Sequence, residues 1–145
     1  MNFWQHAALI AAGAAVLAGC AGPVAEGPAE QAPSLEGRSL MWSEGATSEC
    51  EIPPTITFSK GRVSGNAGCN SFTGGYKLEG KKLALSNLAM TMRMCGPAFM
   101  DVEGKFTAAL GKVRYATAEG DNVTLWDEAM KPVLRLEPEH PGRCN

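Results

Sequence analysis

Apolar and polar residues alternate with a period of two along most of the chain, a pattern typical of strands that bury one face. The Thr-Ile-Thr-Phe run at residues 55–58 is an example, and turn residues flank it on both sides. The alternation predicts short strands over residues 39–43, 55–58, 62–64, 72–78, 82–85, 88–94, 113–118, 122–126 and 132–137. Because short turns join most consecutive strands, we expect neighbouring strands to pair antiparallel.

One segment, residues 97–112, changes its period from two to 3.6 and predicts an amphipathic helix. Its apolar stripe consists of Phe99, Val102, Phe106, Ala109, Leu110 and Val113. Its polar side consists largely of Asp101, Glu103, Lys105 and Thr107. The order of strands, one helix and strands predicts an α+β fold, in which a curved antiparallel sheet or open barrel packs on one amphipathic helix.

The start of the chain has the features of an export signal. Residues 7–17 are apolar, too few to span a bilayer as a helix but suited to the core of a secretory signal. Leu-Ala-Gly-Cys follows at residues 17–20 and resembles a lipobox, which predicts lipidation of Cys20, although residues 1–6 lack Lys and Arg. The alternative is a plain secreted protein in which Cys20 is an odd thiol.

These features divide the chain into a signal peptide (residues 1–19), a flexible linker (residues 20–34) and one domain with a C-terminal tail (residues 35–145). Residue 21 is alanine, not the aspartate that retains many bacterial lipoproteins in the inner membrane. We therefore expect a lipid anchor in the outer membrane, with the domain facing the periplasm.

Composition bounds the function further. The 145 residues contain 45% hydrophobic residues, enough for one globular core, and the formal net charge is −2. No clustered basic face stands out in the sequence. This balance argues against nucleic acid as a partner, because phosphate binding needs clustered positive charge.

Four cysteines remain after Cys20, an even number in an oxidising compartment: Cys50, Cys69, Cys95 and Cys144. Three pairings are possible. We favour Cys69 with Cys95, which brackets the turn-rich centre, and Cys50 with Cys144, which would tie the tail to the first hairpin. Zinc or a thiol nucleophile is the competing interpretation, but the cysteines are far apart and His140 is the one histidine after the signal. We therefore predict no metal, no cofactor and no catalytic residue.

Two further patterns allow a chemical and a structural interpretation. The glycines Gly65, Gly68, Gly74 and Gly75 lack the spacing and the Lys-Ser/Thr ending of a phosphate loop, which favours glycines that supply positive φ at turns and a bulge, with Asn66 and Asn70 bonding the local backbone.

The methionines Met90, Met92, Met94 and Met100 could bind copper(I) through their thioethers, but core packing is the more common role of methionine. Glu103 could pair with Arg93 or Arg114, although a solvated surface position is favoured.

Three stretches together resemble a known family: residues 63–76 with Gly-Cys-Asn at 68–70, residues 88–95 with a Thr/Met/Cys run, and a helix bearing Glu103 and Phe106. They are similar to the META domain of HslJ-like, heat-inducible bacterial lipoproteins. The resemblance assigns the family motif to Gly65, Gly68, Asn70, Gly74 and Thr91. It implies a small α+β domain linked with heat stress and novobiocin tolerance, without an established catalytic residue.

Similarity to secretion-system pilot lipoproteins also suggests a groove for an acyl chain or a peptide. Two functions follow as hypotheses. The first is a non-enzymatic envelope lipoprotein that binds a partner or client protein through the open side of its sheet. The second is a module that binds a small hydrophobic ligand, such as a lipid or drug, between sheet and helix.

Overall fold

The structure, a computed structural model, describes residues 19, 32–46 and 53–140. Within them lie eight strands and one α-helix, in this order: β1 Ser39–Met41, β2 Thr55–Ser59, β3 Arg62–Asn66, β4 Ser71–Glu79, β5 Lys82–Met90, α1 Pro97–Lys112, β6 Tyr115–Glu119, β7 Asn122–Trp126 and β8 Pro132–Pro138. A 3-10 turn, Ser43–Gly45, follows β1. Cys20, Cys50 and Cys144 lie outside the described residues, so lipidation and the Cys50–Cys144 bond stay predictions.

The strands form a ring in chain order, and every pair of neighbours runs antiparallel. β1 closes the ring by pairing with β8, through Leu40 opposite Pro138 and Met41 opposite Glu137. The short turns that join most strands produce this order, because a turn of two residues brings consecutive strands side by side. The predicted α+β fold, with a curved antiparallel sheet over one helix, is confirmed.

One junction in the ring is much weaker than the others. β5 pairs with β4 from end to end, but it pairs with β6 only where Lys82 lies opposite Tyr115. The cause is the connection, because the chain leaves β5 at Met90, forms α1 and returns at Tyr115. The rest of β5 therefore has an open edge on the side away from β4.

The interior of the barrel is filled by side chains from the alternating strand positions and from α1. Phe58, Val63, Phe106 and Leu125 have no exposed surface. The Phe106 ring lies 5.9 Å from Trp42 and 5.8 Å from Phe72, measured between ring centroids. Burying one such side chain contributes about 1.5–3 kcal/mol, so this stripe of α1 holds the helix against the barrel.

Two predicted strands, residues 82–85 and 88–94, are one strand that ends at Met90. The pattern was broken by a bulge: Gly75 pairs with Ser86, but Thr73 pairs with Ala89, so β5 has one extra residue. Asn87 lies in the bulge with φ +50°. The bulge shifts the alternation by one residue. If odd-numbered residues face inward before the bulge, even-numbered residues face inward after it.

Candidate functional site

Glu103 holds α1 to the turn between β3 and β4. Its side chain is 8% exposed, and one carboxylate oxygen accepts the N–H groups of Cys69 (3.1 Å) and Asn70 (2.6 Å). The other oxygen accepts the Asn70 side-chain amide at 2.9 Å. The turn reaches the helix because residue 68 is glycine: a Cβ there would lie 3.1 Å from the Glu103 nitrogen, and φ is +131°.

Asn70 connects this turn to a third segment, residues 91–96, which we call the strap. Its side-chain oxygen accepts the Arg93 N–H at 2.6 Å and the Thr91 hydroxyl at 2.9 Å, while its amide nitrogen also donates to the Arg93 carbonyl at 3.0 Å. Asn70 was predicted to bond its local backbone, and this is wrong, whereas Asn66 does so by accepting the Gly68 N–H at 2.8 Å.

The strap is attached at every second residue. The Thr91 N–H donates to the Ser71 carbonyl at 3.0 Å, which extends the β4 pairing by one step. The Arg93 guanidinium donates to the Cys69 carbonyl at 3.0 Å. Cys95 forms a disulfide with Cys69, the pairing favoured from the sequence, with the two Cα atoms 5.8 Å apart. The structure therefore brings Cys69, Asn70, Thr91 and Cys95 together.

Three glycines of the cluster have a role that differs from the predicted one. Positive φ occurs at Gly68 but not at Gly65, Gly74 or Gly75. A Cβ on residue 65 would overlap the Thr55 carbonyl oxygen, and a Cβ on residue 74 would lie 2.6 Å from Leu88. These glycines let neighbouring chains approach closely, and the bulge lies on the strand opposite Gly74.

Two other predictions about side chains are wrong. Glu103 is buried and not solvated. Its spacing could have indicated this, because it lies four residues after Phe99 and three before Phe106 and so is on the apolar face of the helix. Core packing of the methionine run fails for Met92, which is 96% exposed, and for Met94, which is 87% exposed. Both belong to the strap, where the alternate residues are the ones attached to the barrel.

A surface groove runs between the open edge of β5 and the C-terminal half of α1. It has two parts, one of 610 Å³ and one of 220 Å³. Both are lined by Leu88, Leu110 and Gly111, so they adjoin. The larger part is lined by charged as well as apolar side chains: Lys77, Glu79, Lys82, Leu83, Ala84, Leu85, Val113, Arg114, Tyr115 and Glu128. The smaller part is mainly apolar, with Phe72, Ala89, Met90 and Thr107.

Backbone groups of β5 face this groove. The Leu83 N–H donates to the Arg114 carbonyl at 2.9 Å, on the side away from β4. Because the direction of the peptide groups alternates along a strand, those of Leu85 face the same way. Within residues 53–140 no strand pairs with β5 on that side beyond Lys82.

Peptide groups of β5 also point to the groove after the bulge. The Thr91 N–H points to β4, so the peptide groups of Met90 and Leu88 point to the groove. The edge therefore presents the backbone donors and acceptors of three residues, Leu85, Leu88 and Met90, beside apolar side chains. Such an edge is a template for another extended chain.

Exposed apolar side chains are concentrated beside the groove. Of the six large ones in the described part of the chain, five lie between residues 88 and 99, and we call these the apolar strip: Leu88, Met90, Met92, Met94 and Phe99. The sixth, Met130, is in the turn before β8. Leu88 and Met90 of this strip also line the groove, and exposed apolar patches mark interaction sites in soluble domains.

The part of the chain that the structure describes lacks two other kinds of site. No group of three or more His, Cys, Asp and Glu side chains there could hold a metal ion. No helix in residues 32–46 and 53–140 combines the length and the apolar content needed to cross a bilayer.

Comparisons with known proteins agree with this fold. The chain is similar to an NMR structure of a protein from Burkholderia xenovorans, with 22% identity, a TM-score of 0.58, and coverage of 74% of this chain and 85% of that one. A second NMR structure is 25% identical, with a TM-score of 0.56 and coverage of 72% and 91%. The comparison with curated proteins gave no match. A family model of the META domain matches residues 34–140, and the chain therefore belongs to the META domain family.

Proposed function

We propose that this META domain is a non-enzymatic binding module of the bacterial envelope that takes up an extended segment of a partner or client protein along the open edge of β5. The observation that carries the proposal is the edge itself. The peptide groups of Leu85, Leu88 and Met90 point into a groove whose walls are apolar at one end, and no strand within residues 53–140 pairs with them there. A polypeptide strand satisfies such groups and places alternate side chains in the groove.

The packing of the barrel favours binding of a peptide at the surface over binding of a ligand inside the core. Phe58, Phe106 and Leu125 fill the interior without exposed surface, whereas the 610 Å³ part of the groove lies at the surface. A filled core with an exposed apolar edge favours binding of a partner or client protein over binding of a ligand inside the core. The extended segment would run between β5 and α1, with apolar side chains near Leu88 and Met90.

A binding role without catalysis is supported by the state of the buried carboxylate. Glu103 accepts three hydrogen bonds from the turn, which leaves it positioned as a structural anchor. His140 is exposed and lies 3.6 Å from the Glu137 carboxylate.

We also propose that the module is lipid-anchored through Cys20 in the outer membrane and faces the periplasm. The apolar run at residues 7–17 and the lipobox-like residues 17–20 support this. By its family resemblance, the binding serves tolerance to heat or to novobiocin-type antibiotics. Metabolic labelling with a palmitate analogue tests the anchor, because Cys20→Ser should abolish incorporation.

The strand-addition proposal is tested by photo-crosslinking in the cells that produce the chain. A benzophenone amino acid is placed at residue 88, beside the groove, or at residue 130 as a matched exposed apolar control. We expect a defined protein adduct from residue 88 alone, and mass spectrometry identifies the cross-linked segment. A synthetic peptide of that segment is then added to the protein, and amide exchange is measured.

Binding by strand addition should slow exchange at the amides of Leu85, Leu88 and Met90. Leu88→Lys should weaken binding of the peptide, since it places a charge in the apolar end, whereas Met130→Lys should not. Growth at raised temperature and with novobiocin, in a deletion strain complemented by each variant, connects binding to tolerance. Equal adducts from both positions, or exchange unaltered by the peptide, would refute the proposal.

A small hydrophobic ligand is the second candidate, and one observation favours it. The 610 Å³ part of the groove lies between sheet and helix and has the volume of ordinary ligand sites. Native mass spectrometry of the protein isolated from envelopes separates the candidates, because a lipid or drug adds a small fixed mass. Such a ligand should shift the Leu88 and Leu110 methyl resonances while the β5 edge amides still exchange.

A further inference from the structure

We propose that the groove accepts the C-terminal end of a polypeptide, which runs antiparallel to β5 and places its α-carboxylate beside Lys82 and Arg114. This specifies the partner segment and rests on the proposed strand addition. The groove has two features that point to such an end. The backbone of residues 114–116 blocks it at one extremity, and the side chains that line this larger part carry an excess of positive charge.

The open edge of β5 stops where the chain returns from α1. The Leu83 N–H already donates to the Arg114 carbonyl at 2.9 Å. One step further along, the Ala116 N–H donates to the Lys81 carbonyl at 2.8 Å. A strand added to β5 can therefore extend only as far as the position opposite Ala84, because the Arg114 backbone occupies the next one. The added chain has to end at this point or turn away from the sheet.

The direction of the added strand follows from the barrel. Every pair of neighbouring strands in the ring is antiparallel, and antiparallel pairing is slightly the more stable per residue. β5 runs from Lys82, at the blocked extremity, to Met90. An antiparallel partner runs from Met90 towards Lys82, so the end that reaches the blocked extremity is its carboxyl end.

The charges of the larger part of the groove favour a carboxylate there. Three cationic side chains line it, Lys77, Lys82 and Arg114, against two anionic ones, Glu79 and Glu128. Lys77 and Glu79 form an ion pair at 2.9 Å. Lys82 and Arg114 then stand against Glu128 alone, which leaves an excess of one positive charge. The α-ammonium group of a peptide bound in the opposite direction would be repelled by this excess.

The Arg114 guanidinium has donors left for a ligand. Its Nη1 atom donates to the Val113 carbonyl at 2.7 Å and to the Gly111 carbonyl at 3.3 Å. These contacts offset the negative end of the α1 dipole, which would otherwise disfavour a carboxylate. Within residues 32–46 and 53–140 no acceptor bonds the Nε or Nη2 atoms. Two such N–H groups side by side suit the two oxygens of a carboxylate.

Peptide arrays test the end and the direction together. The probes are heptapeptides, with one residue for each position of β5 from Ala84 to Met90, and they vary the apolar residue at alternate positions. One array is attached through the N-terminus and leaves the α-carboxylate free, and the other carries the same peptides attached through the C-terminus. Protein isolated from envelopes is applied to both and detected with an antibody. We expect binding to the first array alone.

Calorimetry with the best peptide measures the contribution of its carboxylate. Replacing the α-carboxylate by an amide should weaken binding by about fivefold or more. Lys82→Gln and Arg114→Gln should each weaken binding of the free acid by about threefold or more and leave binding of the amide unchanged. Lys105→Gln is the matched control, because this exposed lysine of α1 pairs with Asp101 and does not line the groove. Equal melting temperatures show that the variants are folded.

The outcomes separate this inference from the strand addition on which it rests. Equal affinities for acid and amide, or tighter binding to the second array, would overturn the carboxylate end and leave strand addition in place. Binding to neither array would refute both.

Discussion

At the scale of single residues, one buried carboxylate, that of Glu103, holds α1 to the turn between β3 and β4. Glu103 accepts hydrogen bonds from two backbone N–H groups and one side-chain amide. Asn70 in turn accepts hydrogen bonds from the Arg93 N–H and the Thr91 hydroxyl. Charge-assisted hydrogen bonds of this kind are stronger than neutral ones. Residues on which the resemblance to the family rests, Asn70, Thr91 and Glu103, therefore hold three segments together.

Removing that carboxylate should destabilise the domain. Glu103→Ala removes the acceptor of three buried hydrogen bonds, and we expect the free energy of unfolding to fall by about 2–4 kcal/mol. Glu103→Gln should cost less, because an oxygen remains for the backbone N–H groups. Urea denaturation measures both.

Asp101→Ala is the matched control, since this acidic residue is on the same helix and makes only an exposed pair with Lys105 at 2.8 Å. Its loss should change the free energy of unfolding by less than about 1 kcal/mol. An equal effect of Asp101→Ala and Glu103→Ala would show that the buried hydrogen bonds contribute little.

A second carboxylate gives the fold a dependence on pH. The Lys60 N–H donates to both oxygens of Glu36 (2.7 and 3.0 Å), and with the Tyr76 hydroxyl (2.8 Å) it holds the pKa of Glu36 below its ordinary 4.5. The folded state thus favours the ionised form. The resulting stability is present above the unfolded-state pKa and is lost as the pH falls through the lowered folded-state pKa.

Glu36→Gln should therefore lower the urea midpoint at pH 7 and have little effect at a pH below both pKa values. Tyr76→Phe, which keeps the ring beside Phe58 and removes one donor, should show the same trend more weakly. The measurement is a series of urea denaturations from neutral to acidic pH. A midpoint difference that is constant across the series would contradict the role of Glu36.

At the scale of elements, β5 is the strand that leaves part of this barrel open at one edge. Its first half completes the ring at Lys82, and the Asn87 bulge then turns Leu88 and Met90 toward the groove. The alternation in the sequence predicted strands on both sides of the bulge. It could not show that they are one strand, because a bulge residue interrupts the period in the same way as a turn.

The open edge makes a prediction about exchange in the free protein. Amides of Leu85, Leu88 and Met90 should exchange at least about tenfold faster than those of Ala84 and Ala89, which face β4. Hydrogen exchange followed by NMR resolves these neighbours. Similar protection along the whole of β5 would mean that the edge is covered.

The strap depends on its disulfide as well as on Asn70. Cys69 and Cys95 are 26 residues apart, and a closed loop of that size is worth about 3 kcal/mol in the chain-entropy model. We expect Cys69→Ala/Cys95→Ala to lower the free energy of unfolding by about that amount in urea. Reductant should then have no further effect on this variant, unless the predicted Cys50–Cys144 bond also contributes to stability.

At the scale of the whole molecule, the sequence predicted the class of fold better than its closure. Period-two patterns and short turns indicate antiparallel strands, and the 3.6 period of residues 97–112 indicates the helix. Neither pattern indicates which distant strands pair. The pairing of β1 with β8 and the short pairing of β5 with β6 could therefore not be predicted from the sequence. The groove at that junction was foreseen only through resemblance.

The pairing of β1 with β8 has one more consequence. The Glu139 N–H donates to the Ser39 carbonyl at 3.0 Å, so the chain enters and leaves the barrel at neighbouring points. Because the strands form a ring, the chain can be circularly permuted. We expect a permuted chain that starts at Asp121, with the original ends joined by a short glycine linker, to fold to the same barrel. The Arg38 guanidinium donates to the carbonyl oxygens of Gly120 and Asp121, so the new N-terminus would lie on the same rim as the old one and the groove would keep its place relative to it.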